Sequence, residues 1–306
     1  MNKIKKLRRH PLSAAAAALV WLSAILTAAV MIFLVGFIVV KGVRHLTPGL
    51  FAFTYDSNNV SLFPALVNTL LMTLLSLLIA VPFGVFAAIY LVEYAKKGSR
   101  VVSLIRITAE TLQGIPSIIY GLFGMLFFCT ALRWRLSLLA GSMTLVIMIL
   151  PLVIRTTEEA LIAVPDAYRE ASFGLGAGKL RTIFCVVLPS AIPGILSGVV
   201  LATGRIVGET AALIYTAGTL AKLPSGLLGS GRTLAVHMYV LSTEGLYMDQ
   251  AYATAVVLIV VVLILNALST LLAWGLTRSQ GTQASLFEQD LAERRVCAGP
   301  GDSIVA

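Results

Sequence analysis

Apolar residues in this chain fall in blocks rather than in alternation with polar ones. The blocks lie at roughly 14–40, 64–92, 103–131, 136–156, 191–217 and 250–277. Each is long enough to cross roughly 30 Å of hydrocarbon, which takes about 20 apolar residues in a helix. The pattern therefore predicts six transmembrane helices. The first block follows the basic stretch MNKIKKLRRH and is about twice as long as the 7–15 apolar residues of a signal peptide. Lys41 follows it with no small-residue cleavage pattern, so it reads as a retained span. The expected division is a basic N-terminus (1–13), a first helix with its outer loop (14–63), a helical core (64–277) and a polar tail (278–306).

Composition supports the class and narrows the function. Only 12% of residues are charged and the mean hydropathy is +0.93, whereas soluble domains carry about 25% charge. The fold class is all-α polytopic membrane protein. A net charge of +9 on such a chain is first a topology signal, and no aromatic-interleaved basic patch points to nucleic acid. Sixteen of the 23 Lys and Arg residues lie in 1–10, 96–106, 155–181 and 278–295, against six in the alternate loops. That asymmetry puts both termini and the 157–190 segment in the cytoplasm. Cys129, Cys185 and Cys297 and the isolated His10, His45 and His237 have neither disulfide nor metal-ligand spacing. No metal, cofactor or catalytic constellation is expected.

Three places carry candidate function. The third block contains Gly114, Pro116 and Ser117, where proline removes a backbone donor. That is either a broken helix beside a pathway or an ordinary packing kink. Residues 157–190 read as a helical hairpin. A first helix opens at Pro165, runs through Glu170, Ala171 and Ser172 and stops near Gly176. A second, from about Lys179 to Leu188, puts Leu180, Ile183, Phe184, Val187 and Leu188 on one face, and Pro189 and Pro193 end it. The nearby Gly174–Leu180 stretch fails as a P-loop, with Phe173 in place of the first glycine and Leu180 in place of the hydroxyl residue. In the fifth block Arg205 and Glu209 are four residues apart, so on one helix they share a face and can pair. Charge at that depth costs at least about 2.5–3.5 kcal/mol on insertion scales. The pair is either a structural ion pair or the lining of an anion path, since a guanidinium suits bidentate phosphate contact. Gly194, Gly198, Gly204 and Gly208 have the G-x-x-x-G spacing of close helix contacts. Residues 218–249 form the largest outer loop, with Glu244 and Asp249 at its rim.

The order Glu170-Ala171-Ser172, Gly176, then Val186-x-Leu188-Pro189 resembles the E-A-A-x3-G-x9-I-x-L-P coupling loop of permeases in ATP-driven importers, with Ser172 and Val186 as departures. The wider wording from about Val60 to Trp274 resembles the PstA-type permease family of bacterial phosphate importers. That resemblance implies a type I ABC importer permease fold with six transmembrane helices and a cytoplasmic coupling hairpin. It implies a PstB-like ATPase dimer docked on Glu170, Ala171, Ser172, Gly176, Leu188 and Pro189, a PstC-like permease, and a phosphate-binding protein. It places inorganic phosphate on a path beside Arg205 and Glu209 in an inner-membrane bilayer. Two readings stay open beside it: a permease for sulfate or molybdate, or the PstC-type partner itself. From another class, a secondary anion transporter would show repeated halves, and no repeat is visible.

Overall fold

With no water in the hydrocarbon, a spanning backbone must satisfy its own hydrogen bonds, which leaves helices as the solution for apolar blocks of this length. The computed structural model describes residues 11–56, 59–96 and 98–271. The basic residues 1–10, Lys97, and everything from 272 on (the end of the sixth expected span, Cys297 and the tail) lie outside the described residues.

The long helices are α1 (Pro11–Val43), α2 (Phe63–Ile89, prolonged by a π turn at Tyr90–Tyr94) and a bent pair, α3 (Arg100–Gln113) and α4 (Ser117–Gly124). Then come α5 (Leu138–Ile162), the short α6 (Asp166–Gly174), and α7 (Lys179–Thr182), which runs through a π turn into α8 (Leu188–Val207). The order closes with α9 (Ala211–Thr216), α10 (Leu234–Glu244) and α11 (Met248–Leu271). Five stretches are long and apolar enough to cross a membrane, and the α3–α4 pair, bent by 100°, makes a sixth if taken as one span.

Three boundaries differ from expectation. The fourth span extends to Ile162, because Thr157, Glu158 and Leu161 are buried in its last turns rather than starting a polar loop. Pro189 and Pro193 do not end the second hairpin helix. The π turn Ile183–Val187 absorbs the first proline near the start of α8, and the helical stretch continues from Lys179 to Val207. The fifth block then breaks at Gly208–Thr210 instead of running to 217.

The core forms around α5. Its most apolar window is 61% inside the molecule, whereas that of α1 is 0% buried, so α5 is central and α1 peripheral. Met72, Leu145, Met148, Ile149, Ile206 and Leu213 join α2, α5, α8 and α9 in one apolar cluster. Close approach depends on small residues. A Cβ on Gly84 would stand 2.6 Å from Val153, one on Gly194 2.6 Å from Ala160, and one on Gly198 2.7 Å from Cβ of Thr156. The first of the two G-x-x-x-G pairs is thus a contact within this chain. The second is not: nothing lies within 4 Å of a Cβ on Gly204.

The expected outer loop 218–249 is only partly a loop. Its second half is α10, with Leu234, Val236, His237 and Leu241 buried beside α2 and α9. Thr233 caps α10 by accepting from Val236 N–H.

Gly198→Leu should drive α8 off α5 and destabilise by roughly 1–3 kcal/mol, the usual cost of overpacking. Gly204→Leu, on the open side of the same helix, should leave the thermal midpoint of the detergent-solubilised protein unchanged. Equal midpoints for both variants would mean the α5–α8 contact does not hold the bundle.

Candidate functional site

Arg205 sits in the last turn of α8, half-buried, on an open groove of about 440 Å³ lined by Leu152, Val200, Leu201, Gly204 and Asn266. The i,i+4 pair with Glu209 is not formed. Helix α8 ends at Val207, Gly208 and Glu209 leave it through bonds to Gly204 O and Ile206 O, and Glu209 no longer shares its face. The buried Glu209 carboxylate instead accepts from Ala212 N–H at 3.1 Å, capping the start of α9. An acceptor there satisfies one of the donors a helix start leaves free. Among the described residues Arg205 makes no hydrogen bond or ion pair, so its charge is directed to the groove rather than to Glu209.

Gly114, Pro116 and Ser117 do mark a true break. Pro116 is extended (φ −56°, ψ 137°) and α4 starts immediately after it. Tyr120 O–H bridges the break by donating to Leu112 O at 2.8 Å, and Gln113 Nε2 donates to Pro151 O at 3.2 Å. Arg205 acts electrostatically on Tyr120. The fold thus brings the break and Arg205 to the same region, as spacing alone did not reveal. Asn266 on α11 was missed. Its Oδ1 is buried without a partner among the described residues, on the Arg205 groove, and an asparagine inside an apolar span is the signal that marks it.

The hairpin is held by geometry that the sequence only partly announces. Pro165 is the residue before α6 rather than its first helical position. Gly176 has φ +79°. Ala177 N–H reaches Ser172 O and Gly176 N–H reaches Phe173 O, at 3.1 and 2.9 Å. That is the Schellman ending, which calls for a left-handed residue at this position. No atom lies within 4 Å of a Cβ on Gly176, so backbone conformation, not space, selects glycine. Ser172 Oγ lies 2.8 Å from Thr182 Oγ1 and ties the two arms together. Glu170 and Ala171 lie on α6, whereas Leu188 and Pro189, expected to close the second arm, open α8 instead.

The expected apolar face is split. Ile183 and Val187 are buried against Ala88, Ile89 and Leu161, while Leu180 and Phe184 are exposed with Tyr168, Phe173 and Leu175. The bundle takes the side facing α2 and leaves the other uncovered. Leu175, 90% exposed at the hairpin tip, is the most solvent-directed of these.

One buried ion pair anchors this unit. Arg169 on α6 donates through Nε and Nη2 to Glu93 Oε1 at 3.0 and 2.9 Å, with side chains only 13% and 10% exposed. The same guanidinium donates to Leu161 O and Val164 O, at and just past the end of α5. Its 76-residue separation from Glu93 hid the pair from sequence reading. Beside it Arg106 pairs with the mostly buried Glu158, and Arg155 with Glu110 and Glu159. The Arg155 contacts are exposed, and such pairs contribute little.

The chain is similar to known proteins in sequence and in fold. Residues 80–278 match the family described as binding-protein-dependent transport system inner membrane component. A probable ABC transporter permease protein YqgI of Bacillus subtilis (strain 168) is 33% identical over 268 residues, covering 80% of this chain and 89% of that one. Phosphate transport system permease protein PstA 1 of Mycobacterium tuberculosis (strain CDC 1551 / Oshkosh) is 35% identical over 218 residues, covering 70% and 71%. Among solved structures, a chain of a bacterial ABC transporter involved in the import of alginate superposes with TM-score 0.58 at 16% identity, over 90% of this chain and 100% of that one. A chain of the inward-facing MetNI methionine ABC transporter gives 0.54 at 22% identity, over 71% and 94%. These structures share the fold.

Breaking a buried ion pair leaves an uncompensated charge and costs about 3–5 kcal/mol, whereas replacing both partners with apolar residues is often near neutral. Glu93→Leu alone leaves Arg169 just the exposed Asp166, 3.2 Å from its Nη1, as a carboxylate partner among the described residues. It should therefore lower stability by an amount toward the low end of that scale and expose residues 163–178 to protease. The double variant Glu93→Leu with Arg169→Leu should recover much of it. A double variant no better than the worse single one would remove the pair as the hairpin's anchor.

Proposed function

The chain belongs to the binding-protein-dependent transport system inner membrane component family, and on that premise we propose that it carries inorganic phosphate through a bacterial inner membrane as one permease subunit of an ATP-binding-cassette importer. Members of this family are permease subunits and not enzymes; a partner chain hydrolyses ATP. The phosphate assignment is supported by the relatives named as phosphate transport permeases. It is also supported by one feature of this chain: Arg205, an always-charged bidentate donor, has no partner among the described residues and faces an open groove.

In this reading a PstB-like ATPase dimer grips the hairpin, a PstC-like permease closes the groove, and a phosphate-binding protein delivers the anion at the opposite end. Both termini and the hairpin lie in the cytoplasm, in keeping with the bias of basic residues. The exposed Tyr168, Phe173, Leu175, Leu180 and Phe184 provide a helix-in-groove contact for the ATPase. The hairpin's second arm and the helix bearing Arg205 form one helical stretch, Lys179–Val207. ATPase closure at the hairpin therefore moves the Arg205 end as a rigid lever, in a hinge-type motion. Gly114, Pro116 and Ser117 line the same path, their break giving the backbone a polar surface where the anion passes. Glu209 shapes the path indirectly, by fixing the start of α9.

The decisive experiment is ATP-driven uptake of ³²P-phosphate in vesicles holding the chain with its ATPase, partner permease and binding protein, with sulfate and molybdate as competitors. Uptake that requires ATP and resists sulfate is the expected result; coupled uptake of another anion would move the assignment to that anion. Arg205→Gln should cut uptake about tenfold or more, the weight of a charge-assisted hydrogen bond, with assembly intact. Gly176→Leu should abolish ATP-coupled uptake, since left-handed backbone costs a side-chain-bearing residue roughly 1–2 kcal/mol and reshapes the hairpin turn. Normal uptake in Gly176→Leu would refute the coupling role.

A further inference from the structure

At the end of α2 remote from the hairpin, the fold buries a second guanidinium. Arg232 precedes α10 and is only 4% exposed, and His237 inside α10 is fully buried. Both pack on Tyr55: the Arg232 Cζ lies 4.9 Å from the ring centroid, and the His237 ring meets it edge-on at 6.2 Å. Asn68 of α2 adjoins them, its Nδ2 donating to Arg232 O and Lys222 O at 3.2 Å each.

Several polar atoms here are buried without a partner among the described residues: Nε and Nη2 of Arg232, both ring nitrogens of His237, and Oδ1 of Asn68. The two Arg232 nitrogens are those whose N–H bonds point in parallel along one edge of the guanidinium. That edge binds two oxygens of one carboxylate, phosphate or sulfate. Leaving a buried charge and several buried polar groups unmatched is expensive. The Tyr55 side chain bonds Arg232 and the exposed Glu244 acts on it more weakly, yet the Nε–Nη2 edge stays without a partner among the described residues. Burial, and secondarily Arg232, push the His237 pKa down to about 3. The ring is therefore neutral at physiological pH, with one N–H and one bare nitrogen.

The segment over the site is held in an unfavourable conformation. Val60, β-branched and buried, has φ +43°, a rare strain in such a residue. Asn59 Oδ1 accepts from Asp56 N–H and Ser61 N–H at 2.8 and 3.1 Å, and Asn59 Nδ2 donates to Thr54 O at 2.9 Å. Ser61 Oγ donates to Leu50 O at 3.2 Å and also bonds Ala52 O. These bonds fix the strap that carries Tyr55. Strain maintained by surrounding bonds is characteristic of ligand-holding segments.

We propose that Arg232, His237 and Asn68, closed over by Tyr55, form an oxyanion site separate from the Arg205 groove and suited to a tetrahedral anion that still carries a proton, such as hydrogen phosphate. Two anion oxygens take the parallel Arg232 donors, and the protonated oxygen donates to the bare nitrogen of His237 or to Asn68 Oδ1. Sulfate, which has no proton to give at neutral pH, leaves those acceptors unmatched. The choice of phosphate as ligand rests on the importer reading; the existence of the site does not.

The test is equilibrium binding of ³²P-phosphate to the assembled transporter in maltoside micelles, without nucleotide or binding protein. A saturable component is expected that sulfate does not displace, that Arg232→Gln weakens at least tenfold, and that Arg205→Gln leaves in place. His237→Leu, of similar bulk but without ring nitrogens, should weaken it too, and it replaces Arg232→Gln if that variant does not assemble. Binding indifferent to both substitutions overturns the proposal, and displacement by sulfate overturns its selectivity. Titration with added phosphatidylglycerol, whose ionised diester has no phosphate proton to give, separates the sources. Displacement by the lipid assigns the site to a headgroup phosphate and overturns the selectivity for a protonated anion, and its failure assigns it to the free anion. Loss of transport in Arg205→Gln with binding retained keeps this site distinct from the translocation reading, and loss of the binding component in Arg205→Gln overturns that separation.

Discussion

How closely the other helices approach α5 governs the rest of the molecule. Gly84 of α2 meets Val153, and Gly194 and Gly198 of α8 meet Ala160 and Thr156, at separations that leave no room for a side chain. Lipid tails are as apolar as leucine, so helix association in a bilayer relies on this kind of close contact rather than on a hydrophobic drive between spans. With α2 and α8 seated on α5, one end of the bundle offers Glu93 to the hairpin and the other brings Asn68 beside Arg232. Both polar centres inherit their geometry from apolar contacts in between.

One continuous helical stretch joins the hairpin to the turn that bears Arg205. From Lys179 to Val207 the chain is helical through 29 residues, about 1.5 Å per residue, which makes a strut of roughly 40 Å. A proline-containing segment would ordinarily break such a strut. Here the π turn Ile183–Val187 shifts the register so that Pro189 falls near a helix start, where its missing N–H matters least. Ile183 and Val187 then seat the strut on α2 and α5, while Arg169 and Glu93 seat the other arm. The hairpin is held to the bundle on both sides, and its exposed face remains for a partner.

Charge is distributed unevenly along this frame. Near the hairpin, acidic and basic side chains meet in pairs: Arg106 with Glu158, Arg155 with Glu110 and Glu159, Arg169 with Glu93. Midway and at the far end, Arg205 and Arg232 carry no such carboxylate partner among the described residues. Of the pairs near the hairpin, the buried one between Arg169 and Glu93 fastens the hairpin to the bundle, while the exposed Arg155 pairs add little. Arg169 directs its donors to Glu93, Leu161 O and Val164 O, whereas the Nε and Nη2 donors of Arg232 have no partner among the described residues.

Local features of this protein are written in the chain itself. Apolar block length determines the class and the existence of the spans, because only a helix satisfies its backbone in hydrocarbon. The coupling hairpin, its Gly176 ending and the break at Pro116 are legible there too, since a left-handed turn and a missing N–H act on neighbouring residues. Where Arg205 and Glu209 point, which side of the hairpin is covered, and the partners Glu93, Asn266, Arg232 and His237 are decided by the tertiary structure. The i,i+4 rule that would pair Arg205 with Glu209 assumes a helix that in fact ends at Val207. The contact of Arg169 with Glu93 joins residues 76 apart. Periodicity reports which residues share a face of one helix; what that face meets depends on how helices distant in sequence close around α5.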